Sequence, residues 1–126
     1  FGVSIGMAFQ IQDDILDLYG DPKTFGKQVG GDVYANKKTL LYLKSIENAK
    51  DHLRQQLDNL WVLPNTPEKI QQAQSIFESA GGKQACINEM NEYHRKASSL
   101  LAEISGNQQI KEYLQQITDL VIQRIN

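Results

Sequence analysis

The chain has 126 residues with a formal net charge of −2, 22% charged residues and a single cysteine. That length allows at most one ordinary domain with a moderate core. The mildly acidic balance, with a pI near 5.6, leaves no basic footprint for nucleic acid. Cys86 cannot form an internal disulfide, which suits a reducing, cytoplasmic setting. No apolar run reaches the roughly 20 residues needed to span a bilayer, and no secretory signal pattern is present.

Phe1 to Leu18 or Tyr19 reads as a helix already under way at the first residue, closed by Gly20. That start suggests a piece of a longer protein. At about 100° per residue, Gly6, Gln10, Asp13, Asp14 and Asp17 share one narrow arc. Val3, Ile5, Met7, Phe9, Ile11, Ile15, Leu16 and Leu18 fill most of the remaining circumference, the inverse of an ordinary surface helix. The pattern predicts a mostly buried helix that turns its acids into a wet internal cavity. Carboxylates placed there need a cation to neutralise them.

Asp21-Pro22 turns the chain, and Lys23 to Asn36 is expected to be a loop in which Gly26, Gly30 and Gly31 allow positive φ. Leu40 to Trp61 carries apolar residues at helical spacing, read as two helices with a break near Ser45 to Asn48. Pro64 ends this run. Thr66-Pro67-Glu68 then restarts a helix with an N-cap, a proline in the first turn and an acid beside the helix dipole. Its core stripe is Ile70, Ala73, Ile76 and Phe77, and it closes at Gly81-Gly82. A helix over about Lys83 to Ile104 is expected to bury Ala85, Cys86, Ile87, Met90, Tyr93, Ala97, Leu100 and Leu101. After a turn at Ser105-Gly106-Asn107, the last helix packs Ile110, Leu114, Ile117, Leu120, Val121 and Ile125. No stretch alternates as a strand, so the fold class is all-α.

The acids at positions i, i+1 and i+4 repel one another unless a cation is bound. Oxygen-only ligands suit a hard ion such as Mg²⁺, which takes one or two carboxylates and fills its shell from water and phosphate. Lys27 and Lys37 supply point charges for phosphate oxygens, and Gln10 can orient a carboxylate or a ligand. Taken alone, acids at this spacing are commonplace on solvated helices, and Lys37-Lys38 reads equally as a charged helix start. His52 and His94 have no ligand partner at helical spacing. Cys86 reads as a small core residue and Arg124 as a surface one.

The ordered string Phe9-Gln10-x-x-Asp13-Asp14-x-x-Asp17, Gly26-Lys27-x-x-Gly30-x-Asp32 and Lys37-x-Thr39 resembles the trans-type polyprenyl (isoprenyl) diphosphate synthases, at their second aspartate-rich region and following lysine loop. One departure is Leu41, where that family often carries proline. The resemblance implies the C-terminal portion of an isoprenoid-synthase helical bundle spanning residues 1–126. It further implies a cytoplasmic, homodimeric parent enzyme that condenses an allylic diphosphate with isopentenyl diphosphate using Mg²⁺. By position, Asp13, Asp14 and Asp17 would hold metal, Lys27 and Lys37 would hold the leaving diphosphate, and Phe9 and Gln10 would line the substrate site. The family's first aspartate-rich motif is absent from these residues, so the chain alone is expected to be inactive. A non-catalytic helical subunit or interaction module of the same fold is the alternative. A terpene cyclase or squalene-type synthase fits the Gly-Lys…Gly-x-Asp…Lys-x-Thr loop less well.

Overall fold

The computed structural model describes residues 1–20, 29–103 and 106–123. Among these residues every regular element is a helix: α1 (Gly2–Tyr19), α2 (Gly31–Tyr34), α3 (Leu40–Asn48), α4 (Asp51–Leu60), α5 (Pro67–Ser79), α6 (Gly82–Glu103) and α7 (Gln108–Gln123). The expected all-α class is what forms. The Asp21-Pro22 turn, Gly26, Lys27, Ser105, Arg124 and Ile125 lie outside the described residues, as does the side chain of Val121. The chain divides into two compact units, one built from Phe1–Gln12 with Ile87–Asn126 and the other from Asp13–Cys86.

The second unit contains the acids and the turn that faces them. Its core is Ile15, Leu18, Leu41, Leu57, Leu60, Ala73, Ile76 and Phe77, all at most 4% exposed. The helix after Pro64 begins where Thr66-Pro67 requires, and its expected stripe Ile70, Ala73, Ile76 and Phe77 is buried. Two helices replace the long apolar run, as expected. Their break falls at Ala49 and Lys50, both extended, just beyond the expected position.

Polar contacts lock the acid-bearing end of α1. The Gln74 side chain donates to Leu18 O at 2.7 Å, satisfying a carbonyl left unpaired by the helix end. The Tyr19 hydroxyl returns a bond to Gln74 O at 2.8 Å, and Lys83 Nζ lies 4.2 Å from the centre of the Tyr19 ring. Burial, with help from the Glu78 charge, pushes the Tyr19 phenol well above its ordinary pKa, so it stays a donor.

Two expectations change here. Lys23 to Asn36 does not run as loop throughout, because α2 forms within it. Four residues are too few for periodicity to register, and the element depends on its end residues. Gly30 enters it in the left-handed region at φ 88°. At its other end Asn36 N–H donates to Val33 O and Lys37 N–H to Asp32 O, with Asn36 at φ 54°. This is a Schellman closure with asparagine in the left-handed position. The inverted amphipathicity of α1 also gives way to an ordinary buried stripe, Ser4, Ala8, Ile11, Gln12, Ile15 and Leu18. Val3 is 82% exposed and Phe9 42%. Apolar type alone misassigned these two residues to the interior.

In the first unit α6 buries Met90, Ala97 and Leu101, and Gln109 N–H donates to Asn107 Oδ1 at the start of α7. Leu100, Ile110, Ile117 and Leu120 are exposed, contrary to the expected packing. α7 is instead held to α6 by polar bonds. His94 Nε2 meets Asp119 Oδ1 at 3.2 Å, and Gln115 Nε2 reaches Ser98 Oγ at 3.1 Å. His94 therefore has a partner from a different helix, which spacing within its own helix could not reveal.

At Gly82 the start of α6 approaches α3 closely. A Cβ there would collide with Ser45 Oγ and come within 2.7 Å of Leu41 O. Gly82→Ala should therefore destabilise the chain by about 1–3 kcal/mol, read from urea denaturation. An unchanged midpoint would show that α3 yields to the extra methyl group.

Candidate functional site

The site begins with one carboxylate used as a hook. Asp17 Oδ2 accepts the Asp32 backbone N–H at 2.9 Å, and Asp17 O accepts Gly30 N–H at 2.6 Å. Only a residue with φ near +88° and no side chain fits at Gly30, since a Cβ would collide with Ile70 Cδ1. Gly31 has no such need and simply begins α2. These bonds bring Asp32 opposite the acids of α1, and the Schellman closure then turns Lys37 back toward Asp32. Lys37 Nζ lies 4.0 Å from Asp32 Oδ1 with its side chain 61% exposed. The pair is loose, and the ammonium stays accessible to an anion.

Asp14, Asp17, Asp32, Lys37 and Thr39 meet Leu18, Val33, Leu41 and Phe77 around one small cleft of about 10 Å³, room for about one water. Burial holds the Asp14 carboxyl above its ordinary pKa of 3.8. Lys37 opposes that rise, Asp32 adds to it, the nearby Leu40 backbone N–H opposes it and Asp13 adds to it. A carboxylate in this setting is charged at a cost that a nearby cation would remove.

Of the residues expected from the sequence, the structure thus brings together Asp14, Asp17 and Lys37. Asp13 acts on Asp14 through its charge but does not line the cleft. Phe9 and Gln10 are exposed and do not line it either, and Lys27 lies outside the described residues. Asp32 was visible in the motif but not singled out as a site residue. Its Gly-x-Asp spacing is the signal that could have found it. Among the described residues no three His, Cys, Asp or Glu side chains converge in a geometry that holds a metal by themselves. The donor set still fits a hard divalent ion of the kind that takes one or two carboxylates and draws its other ligands from water and phosphate. Asp14 is under-compensated, and Asp17 has one oxygen already committed to Asp32.

The chain has relatives among known proteins. The Polyprenyl synthetase family model matches residues 1–80. The chain belongs to the polyprenyl synthetase family. It is 34% identical over 125 residues to a short chain isoprenyl diphosphate synthase of Methanothermobacter thermautotrophicus, covering 98% of this chain and 38% of that protein. A crystal structure of a geranylgeranyl pyrophosphate synthase superimposes with a TM-score of 0.84 at 38% identity, over 98% of this chain and 39% of that one. A polyprenyl synthase from Caulobacter crescentus, solved with calcium and isoprenyl diphosphate, matches with a TM-score of 0.83 at 27% identity, over 96% and 37%. The chain thus spans under two fifths of the length of these polyprenyl synthetases. The all-α fold is theirs. No helix of the described residues is long and apolar enough to cross a membrane.

The Asp14 environment has a testable sign. The unfolded chain loses this proton at a lower pH than the folded one, so the charge costs stability as pH rises through and above 3.8. Asp14→Asn should melt higher than the parent at neutral pH in chelator, with the gap closing as pH falls below 3.8. Thermal melts followed by circular dichroism check this, and a lower melting temperature for the variant at neutral pH would contradict it.

Proposed function

We propose that this chain is the C-terminal, acid-bearing segment of a head-to-tail prenyltransferase, and that its cleft holds a metal-bound diphosphate. The observation that carries the reading is the meeting of Asp14, Asp17, Asp32 and Lys37 in one cleft, on a chain whose relatives are named as isoprenyl diphosphate synthases. The Caulobacter protein, described with calcium and isoprenyl diphosphate, supports the same pairing of cation and diphosphate here.

Each residue has a defined part. Asp13, Asp14 and Asp17 would hold Mg²⁺, which when bound supplies Lewis-acid stabilisation of a departing diphosphate. Lys37, and Lys27 by its place in the motif, neutralise diphosphate oxygens from the other side. Asp32 keeps Lys37 near the acids without saturating it. Leu18, Val33, Leu41 and Phe77 form a dry floor that strengthens these interactions and excludes water. Phe9 and Gln10 are assigned to the substrate side on the family's Phe-Gln pair. The substrates are an allylic diphosphate and isopentenyl diphosphate. The first acidic motif, and with it the homodimeric parent, belongs to the rest of such an enzyme.

Two measurements test this. The isolated chain, given Mg²⁺ and both diphosphates, should show no turnover but should bind inorganic pyrophosphate in a Mg²⁺-dependent way. Asp13→Ala with Asp14→Ala should abolish that binding, and retention would make the acids structural. Exchanging the chain for the matched region of the Methanothermobacter synthase should preserve prenyl transfer. A folded but inactive chimera that binds no pyrophosphate would instead favour a non-catalytic helical module.

A further inference from the structure

Lys69 is 1% exposed, and among the described residues no carboxylate pairs with it. Its ammonium donates to Asn36 Oδ1 at 2.8 Å and to Asn65 Oδ1 at 3.1 Å. Burying an ammonium against neutral amides is costly, so the arrangement asks for a reason beyond packing. The reason lies in what the amides hold. Asn36 is the left-handed residue of the closure that ends α2, and Lys37 follows it directly. Asn65 donates in turn to Tyr34 O at 3.1 Å, gripping the last residue of α2. One buried cation on α5 therefore clamps both the end of α2 and the turn that launches Lys37.

We infer that Lys69 is a positioning residue for diphosphate binding, acting through Asn36 on the backbone that presents Lys37 to the acidic cleft. This rests on the reading of that cleft as a diphosphate site. Without the clamp the closure keeps its backbone bonds but loses its tie to α5, so the base of the long Lys37 side chain is less firmly held. Any non-Gly residue other than asparagine or aspartate would resist the turn, and among these asparagine offers a neutral acceptor to an ammonium.

The test uses the 126-residue chain and inorganic pyrophosphate with Mg²⁺, titrated calorimetrically, alongside thermal melts. Lys69→Met preserves the apolar stem and removes the charge. Its former acceptors, Asn36 and Asn65, are exposed and rebind water, so the variant should melt at or above the parent temperature. Pyrophosphate binding should nevertheless weaken about tenfold, the scale of outer-shell supports. Asn36→Gly keeps the left-handed turn accessible, deletes the acceptor and should weaken binding in the same direction. The double variant should be no weaker than the worse single one, because both break the same clamp. Lys37→Ala is the reference. If it weakens binding while Lys69→Met and Asn36→Gly bind like the parent, the inference is overturned and the cleft reading survives. If Lys37→Ala also binds like the parent, the cleft reading falls and the inference with it. A lowered melting temperature with unchanged affinity would make Lys69 merely structural. Should Lys69→Met fail to fold, Asn36→Gly alone decides by the same criterion.

Discussion

The bond from the Asp32 backbone N–H to the Asp17 carboxylate is the constraint on which the rest of the cleft depends. It ties α2 to the last turn of α1, and everything that faces the acids follows from that tie. Gly30 donates to Asp17 O, and its left-handed backbone and closeness to Ile70 both disfavour a side chain there. Val33 then sits in the floor and Asp32 faces Asp14 across the opening. Asp17 is thus a ligand candidate and a structural anchor at once.

Burial penalises the Asp14 charge, and Lys37, well exposed and 4.0 Å from Asp32, offsets that penalty only in part. In the proposed reading, metal held by the acids would draw the anion in, and Lys37 would meet the oxygens that the metal does not reach.

Much of this was legible in the sequence because the acids, glycines and lysines fall at spacings that local geometry can interpret. Helices α5 and α6, the Gly20 and Gly81 ends and the burial of Cys86 follow from periodicity and punctuation. What escaped depends on contacts between distant residues. Lys69 sits between Glu68 and Ile70 and reads as surface, since nothing local shows that Asn36 and Asn65 converge on it. Gln74 looks like any polar helix residue until Leu18 O is found beside it. Residue type alone places Val3 and Phe9 inward, whereas a helix buries only the stripe that its neighbours cover. α2 is too short for any period, and its existence rests on Gly30 and Asn36 both taking left-handed conformations.

The most direct test of the cleft replaces Mg²⁺ with paramagnetic Mn²⁺ and follows backbone amide signals by NMR as inorganic pyrophosphate is added. Metal held by the α1 acids together with pyrophosphate should broaden the Asp14, Asp17, Gly31, Asp32 and Lys37 amides, and the effect should sharpen in affinity only when both components are present. Broadening that ignores pyrophosphate, or that spreads evenly over exposed acids such as Asp58 and Glu112, would contradict the account.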